Sequence, residues 1–200
     1  LHVRSRRQRQ MCIRDSLMNA SLGRIQANTA RLNVQLDESE RSDILRNIKM
    51  DLGYAKRAGL LTLQNFEKET VSVNALTTFM SQSCTDFSFA GAVAGLHGPT
   101  TGTVQLQVAL WCLEGLHRTL NQLIRAAEVA VFVNFEVAPD GDTAWLNLII
   151  DLPEQDLPLL DPLLAWPRAQ VEMFVEDDTC HLNMAIGAGE PALAPEAAHE

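Results

Sequence analysis

The sequence lacks the features that mark membrane, zinc-binding and redox proteins. No apolar run reaches the roughly 18–20 residues of a membrane-spanning helix, and the longest candidate, 127–137, is interrupted by Glu128, Asn134 and Glu136. The four cysteines form no CxxC pair, and no two of the five histidines are spaced as zinc ligands. We therefore expect no membrane segment, no structural metal and a reduced, cytoplasmic setting.

Glycine is present but is not arranged for phosphate binding. Gly91, Gly95, Gly98 and Gly102 lie within the segment 90–102. No Gly-Lys-Ser or Gly-Lys-Thr sequence follows them, and no clear strand precedes them. We interpret this segment as a connector.

Positive charge is scarce as well. The 200 residues contain 16 basic and 25 acidic side chains, a formal net charge of −9. An acidic surface of this size repels a phosphate backbone. Hydrophobic residues make up 46% of the chain, which is enough for a folded core. We expect one or two small globular domains that do not bind nucleic acid.

The basic residues are concentrated at the N-terminus. Residues 1–16 hold five arginines and one aspartate, so residues 17–200 carry 11 basic and 24 acidic residues, a net −13. The string RQRQMCIRDS resembles translated sequencing-adapter sequence. We interpret residues 1–16 as an artefact and expect the natural N-terminus to be missing.

Two helices with heptad spacing follow. Asp37 and Glu40 have the spacing of a capping box at the start of the second helix, and the short connection predicts an antiparallel hairpin. Two seams exposed on one hairpin favour dimerisation into a four-helix bundle; alternatively, the hairpin packs on the C-terminal part of its own chain. The seam positions are Met18, Leu22, Ile25, Thr29, Leu32 and Leu36, then Leu45, Ile48, Leu52, Ala55, Gly59, Thr62 and Phe66.

The remaining chain alternates between strand and helix patterns. A short strand at 71–73 and a short helix precede a longer amphipathic helix over 106–127. Two hairpins follow, one reversing at 139–142 and one at 177–178, and a short helical turn near 159–164 separates them. The tail from residue 190 to 200 is rich in Ala, Pro and Glu, which predicts disorder.

This order of elements resembles the transmitter core of two-component sensor histidine kinases. Aligning Ile25 with the aliphatic position of that family's phospho-acceptor box puts Met18 and Leu22 on its leucines and Ser16 on the phosphorylated histidine. Leu60 and Leu61, followed by Leu63 and an acidic residue, resemble the family's exit from the helical bundle.

The resemblance implies an α+β fold with two domains. An N-terminal antiparallel helical hairpin over residues 17–69 would form the dimeric four-helix bundle. A small α/β sandwich over residues 70–189 would resemble a degenerate histidine-kinase-type ATPase domain.

Most of that family's ATP-binding motifs are missing. Ala126 aligns with the magnesium-binding asparagine of the family. Asn121 and Gln122 are the candidate substitutes, but helical geometry turns them away from that position. Asp151 matches the aspartate that contacts adenine, but Leu152 and the proline after it replace the glycines of that box. The glycine boxes of the ATP lid are absent. We expect these residues to be vestigial and neither ATP nor magnesium to be bound.

Bacterial histidine phosphotransferases combine the same fold with a degenerate nucleotide site. The resemblance therefore implies a homodimeric phosphorelay protein that passes phosphoryl groups to or from the receiver domains of response regulators. The accepting histidine would stand in the register of Ser16. Two alternatives are a truncated or inactive sensor histidine kinase and a non-catalytic dimerisation scaffold.

Several other residues are interpreted structurally. His117 is interpreted as a histidine at the border between the buried and exposed sides of a helix that covers the sheet, because the sequence places no carboxylate to orient it. His181 is expected to be solvated. Seven acidic residues between 136 and 161 form either a solvated face or a contact surface for a response regulator. Packing in the core or at a domain boundary is expected for Trp111, Trp145 and Trp166.

Overall fold

The computed structural model describes residues 19–65, 68–88, 92–124, 126 and 129–187. The N-terminal arm, Ser16 and the tail 190–200 lie outside these ranges. The seam positions Met18 and Phe66 do so as well.

Two helices open the described chain. Helix α1 covers residues 19–31, and residues 32–37 lead into α2, Glu38–Gln64. The predicted capping box is confirmed: Asp37 Oδ1 accepts a hydrogen bond from the Glu40 amide at 2.8 Å, and Glu40 Oε2 accepts one from the Asp37 amide at 3.4 Å. Both bonds satisfy N–H groups that a helix start leaves free. Arg24 of α1 contacts Asp51, which brings the middle of α1 against the middle of α2.

The remaining elements form a layer of helices on a layer of strands. In chain order they are β1 Thr70–Ser72, α3 Val73–Ser88, β2 Val93–His97, β3 Thr103–Gln105, α4 Leu106–Leu123, β4 Ala130–Val137, β5 Thr143–Asp151, a 3-10 helix Glu154–Leu160, α5 Asp161–Leu164, β6 Gln170–Glu176 and β7 Thr179–Gly187. Five strands make the main sheet in the order β2-β4-β5-β7-β6. The β2 and β4 pair is parallel and the others are antiparallel. Both predicted hairpins are confirmed.

Side-chain alternation gives the main sheet one buried face. Along β5, Leu146, Leu148 and Ile150 are buried in the core, and α4 packs against this strand. The intervening residues, which include Trp145 and Asp151, point to the other face. Trp145 is 37% exposed there, so the prediction that it packs in the core or at a domain boundary is wrong. Trp111 and Trp166 are buried as expected.

The glycine-rich segment contains a strand. Its residues Val93–His97 form β2, which pairs with β4 at the edge of the main sheet, so the prediction of a simple connector is wrong. The strand pattern is weak because Ala94 and Gly95 occupy its centre. Its hydrogen-bonding partner lies 37 residues further along the chain, as in the register of Gly95 with Phe132, and a local reading does not detect such a pairing.

Helix α2 buries a different stripe from the predicted seam. Its buried apolar side chains, including Met50, Tyr54 and Leu61, share one core with α3, α4 and the sheet. The alternative packing of the hairpin on its own chain is therefore present. Within the predicted seam, Leu45 and Leu52 are about half exposed, at 50% and 52%. The leucines of the heptad pattern therefore lie on the outer side of α2 in the single chain, whereas Thr62 of the same pattern is buried.

The connection between β5 and β6 is packed onto α4. Leu160, Leu163 and Trp166 are each buried. Trp166 lies against Gly115 of α4 so closely that a Cβ at residue 115 would be 2.8 Å from the Trp166 ring. The position therefore requires glycine for a steric reason.

Gly115→Ala is expected to destabilise the fold by about 1–2 kcal/mol, because the added methyl group overlaps a buried ring. Gly23→Ala is the matched control, since a Cβ there meets no atom within 4 Å. For the control we expect a gain of up to about 1 kcal/mol from helix propensity. Urea unfolding measures both changes, and an equal gain in the two variants would contradict the packing of Trp166 on α4.

Candidate functional site

A buried polar cluster joins α1, α2 and α4. Asp51 of α2 is 1% exposed, and its Oδ1 atom lies 2.9 Å from His117 Nε2 of α4 and 2.9 Å from Arg24 Nε of α1. Arg24 Nη2 is 2.8 Å from the same oxygen and 3.1 Å from the hydroxyl of Ser21. We call Ser21, Arg24, Asp51, Tyr54 and His117 the helix junction. One carboxylate oxygen of α2 therefore accepts hydrogen bonds from side chains of two other helices, α1 and α4.

The protonation states at the helix junction follow from its contacts. Burial by itself raises the pKa of Asp51, but hydrogen bonds from His117 and Arg24 and the charge of Arg24 outweigh it and leave the pKa below its ordinary value. Burial lowers the pKa of His117, and the contact with Asp51 offsets only part of that effect. At neutral pH, Asp51 is ionised and His117 is neutral. Because the carboxylate can only accept, Nε2 of His117 carries the proton.

Tyr54 completes the helix junction. Its ring stacks on the His117 ring, with centroids 4.4 Å apart and planes inclined by 10°. The Tyr54 hydroxyl is buried and has no hydrogen-bond partner among the residues described. Burial also raises the pKa of Tyr54, so its hydroxyl stays protonated and can donate. An unpartnered buried hydroxyl costs about 1–3 kcal/mol, which a bound polar molecule would recover.

A cavity of about 150 Å³ lies beside the helix junction. Tyr54, His117, Asn121 and Gln122 are among its lining residues, and the Asn121 side-chain oxygen is also buried with no hydrogen-bond partner in the described part of the chain. Glu114 lines the cavity too and accepts a hydrogen bond from Nε of the arginine one turn later at 2.7 Å. The volume corresponds to about five water molecules, so only a small ligand fits inside.

A second buried ion pair ties α2 to α3. Arg57 Nη1 lies 2.7 Å from Asp86 Oδ2, and the Arg57 side chain is only 7% exposed. Gly53 leaves room for this pair, since a Cβ at that position would be 2.6 Å from the Asp86 carboxylate. Polar contacts therefore fix α2 to both α3 and α4.

Comparisons with known proteins identify the fold. No protein-family model and no curated protein matches the sequence. The blue-light-activated histidine kinase of Erythrobacter litoralis has a similar structure, at 10% identity and a TM-score of 0.52, covering 88% of this chain and 60% of that one. The fold is histidine-kinase-like.

Two further histidine kinase structures match over most of both chains. The histidine kinase domain of the same Erythrobacter litoralis protein is 12% identical, with a TM-score of 0.49, and the match covers 90% of this chain and 94% of that one. Acinetobacter baumannii AdeS is 13% identical, with a TM-score of 0.42, and the match covers 87% and 96%. Both TM-scores are below 0.5, so the fold is assigned from the blue-light-activated histidine kinase structure with the TM-score of 0.52.

The residues predicted for a nucleotide site are not brought together. Asn121 and Gln122 of α4 line the cavity beside the helix junction. Asp151 ends β5 at an outward position and lines a separate groove at the end of the sheet. Since α4 packs on the inward face of β5, Asp151 and Asn121 lie on opposite sides of the sheet. Ser16 lies outside the described residues.

The resemblance to sensor histidine kinases implies a glycine-rich ATP lid between the strands that correspond to β5 and β6. Residues 152–169 of this chain contain no glycine. The segment is occupied by the 3-10 helix and α5, and its Trp166 packs on α4. The segment therefore contains no glycine turn of the kind that presents backbone amides to phosphate groups.

Sequence reasoning missed the helix junction. It placed no carboxylate near His117, whereas Asp51, 66 residues away, is its hydrogen-bond partner. The helical spacing of α2 could have indicated this contact. Asp51 lies on the same stripe as Ile44, Tyr54 and Ala58, which is the buried side of the helix. His181 is half-buried and stacks on Phe174 with ring centroids 4.9 Å apart, so it is not simply solvated.

Neither a membrane-crossing helix nor a metal-binding cluster occurs within the described residues. None of the helices found there is both long and apolar enough to cross a membrane. Over the same ranges, no group of three or more His, Cys, Asp or Glu side chains is arranged to hold a metal ion.

The free energy of unfolding is expected to fall as the pH decreases below about 6.5, the ordinary pKa of histidine. The unfolded chain then binds a proton at His117, whereas the folded chain, with the lower pKa, does not. The slope from this one residue is at most about 1.4 kcal/mol per pH unit. Urea unfolding between pH 7.5 and 5.5 measures it. His117→Gln should flatten the profile in this window, and an unchanged profile would contradict the assignment.

Proposed function

We propose that this chain acts in two-component signalling as a histidine phosphotransferase-like protein that passes phosphoryl groups to or from response regulators. The observation that supports this role is a histidine-kinase-like fold in which the predicted nucleotide residues lie on opposite sides of the sheet. A phosphotransferase needs the fold and an accessible imidazole, but it does not need ATP.

The absence of an assembled nucleotide site supports a role without ATP. Magnesium ligands and an adenine contact must face one cleft, but Asn121 and Asp151 do not. The acidic chain, with its net charge of −9, would also repel a triphosphate that no glycine lid or magnesium ion neutralises. We infer that ATP is neither bound nor used.

His117 does not fit the role of the phospho-acceptor. It is 3% exposed, and its Nε2 atom is held by Asp51, so an aspartyl phosphate of a partner cannot reach it. The register that corresponds to the phospho-acceptor is residue 16. A histidine there would attack the phosphorus of the partner's aspartyl phosphate: the P–N bond forms, the P–O bond breaks and the aspartate leaves as a carboxylate. The receiver domain would supply the magnesium.

The exposed leucines of α2 support dimerisation. Leu45 and Leu63 are five helical turns apart, and Leu52 lies seven residues after Leu45, so all three lie on one side of α2. They are 50%, 69% and 52% exposed in the single chain. Leu22 of α1 is also exposed. We infer that a second copy covers this stripe and completes a four-helix bundle.

Ser16→His is expected to acquire acid-labile phosphate when the variant is mixed with receiver domains phosphorylated by acetyl phosphate. The unaltered chain should acquire none, because serine cannot form the phosphoramidate. Phosphate on the protein is measured before and after acid treatment. His117→Gln in the Ser16→His background is the control, and it should leave the labelling unchanged because His117 is buried.

The same assay separates the alternative functions. Labelling of Ser16→His by ATP alone would indicate a kinase and contradict the proposed role. Failure of labelling by every receiver domain in the panel, with the fold intact by circular dichroism, would favour the dimerisation scaffold.

The double substitution of Leu45→Lys and Leu52→Lys is expected to convert a dimer into a monomer, because it places two charges within the apolar stripe. Light scattering coupled to gel filtration measures the molar mass. Leu164→Lys is the matched control, since Leu164 is 44% exposed in α5, away from the stripe. If the unaltered chain is already a monomer at high concentration, the dimer model is wrong.

A further inference from the structure

The cavity beside the helix junction has walls from four helices. Helix α1 contributes Ser21 and Arg24, α2 contributes Tyr54, and α5 contributes Pro162 and Leu163. The remaining wall consists of polar side chains of α4. The volume of about 150 Å³ equals that of about five water molecules, so it suits a ligand of about five or six non-hydrogen atoms.

Two buried polar groups at this cavity are unpaired within the described residues. Tyr54 is 2% exposed, and its hydroxyl makes no hydrogen bond in the described part of the chain. The side-chain oxygen of Asn121 is buried in the same way. Both residues line the cavity. Because an unpaired buried polar group is unfavourable, a ligand that accepts from Tyr54 and donates to Asn121 is stabilised by both contacts.

The Tyr54 hydroxyl lies near the charged residues of the cavity. Burial raises the pKa of Tyr54, and the charges of Glu114, Arg24 and Arg118 also act on it. These three residues line the same cavity. The hydroxyl is protonated at neutral pH, so it can donate to a ligand on the charged side of the cavity.

The charged lining residues carry both signs. Glu114 is 7% exposed, and it forms an ion pair with Arg118 of the next turn of α4. Arg24 is paired with Asp51 behind the cavity wall. The charges at the cavity therefore balance. Each guanidinium has five N–H donors, so it can hold its carboxylate and a ligand at the same time.

This lining discriminates among classes of small ligand. A simple anion would accept from Tyr54 but would lie beside the Glu114 carboxylate and leave the Asn121 oxygen unpaired. A simple cation would donate to Asn121 but would face two guanidinium groups. An apolar molecule would leave both buried polar groups unpaired. A ligand with one group of each charge avoids all of these penalties.

We propose that this cavity binds a small zwitterionic amino acid of the size of glycine or alanine. Its carboxylate would accept hydrogen bonds from the Tyr54 hydroxyl and an arginine, and its ammonium group would donate to Asn121 and Glu114. Such charge-assisted hydrogen bonds are about twice as strong as those of neutral groups, which favours a zwitterion over a neutral amide of the same size. The proposal uses no feature of the phosphotransfer role, so either can fail without the other.

Binding can be observed at Tyr54 itself, because it is the single tyrosine among the 200 residues. In the full chain with isotope-labelled tyrosine, nuclear magnetic resonance therefore reports on one ring. Titration with glycine or alanine should shift its signals saturably, and calorimetry should give one molecule per chain. Acetate and methylammonium, which each carry one of the two charges, should bind at least about tenfold more weakly than alanine.

The same titrations can overturn the proposal. Acetate that binds as tightly as alanine would identify an anion site. Acetamide that binds as tightly as alanine would identify a site for neutral polar molecules. No response to glycine or alanine at millimolar concentrations would mean that the cavity holds water only.

Tyr54→Phe tests the hydroxyl by calorimetry. The variant keeps the ring that stacks on His117 and removes a hydroxyl that has no partner among the described residues, so the free energy of unfolding should not decrease. Its affinity for alanine should nevertheless fall at least about tenfold. A loss of affinity without a loss of stability excludes unfolding as its cause, and unchanged affinity would overturn the proposal.

Variants of Asn121 test the other end of the ligand. Asn121→Ala should weaken alanine binding at least about tenfold, whereas Asn121→Asp, which keeps an acceptor for the ammonium group, should retain it. Asn74→Ala is the matched control, since Asn74 is an exposed residue of α3 and does not line the cavity. Circular dichroism verifies that each variant is folded. Equal affinity in Asn121→Ala and Asn74→Ala would contradict the proposed contact.

Discussion

The carboxylate of Asp51 is the contact on which the arrangement of the helices depends. Its Oδ1 atom receives hydrogen bonds from Arg24 of α1 and His117 of α4. A buried carboxylate is stable only where donors replace the water that it loses, and here those donors come from different helices. The polar requirement of a single side chain therefore positions α1, α2 and α4 relative to one another.

This anchoring gives α2 two different sides. On the inner side, Asp51 and Arg57 bond to α4 and α3, and Tyr54 packs between them and the core. On the outer side, leucines remain about half exposed. A helix that is apolar on both sides must be covered on both, and the single chain covers only one. The dimer that we propose follows from this asymmetry.

The main sheet has a similar asymmetry. Its inward residues pack on the helices, while its outward residues, among them Trp145, Ile149 and Asp151, are left without a helical layer among the described residues. Because strand residues alternate between faces, Asp151 falls on the side away from α4. Asp151 therefore points away from α4, the helix that carries Asn121.

The sequence by itself determined the elements whose signals are local. The Asp37 capping box, both hairpins and the apolar face of α4 depend on residues within a few positions of one another, so they could be predicted. The order of the other helices and strands, apart from β2 and β3, also followed from these local patterns. The tertiary structure decided which side of α2 is buried, because two stripes of α2 are apolar enough to pack. It also decided that Gly95 lies in a strand and that Asp51 meets His117, since both pairings join residues far apart in the chain. The physical reason is that periodicity reveals that a face is apolar, whereas only packing selects its partner.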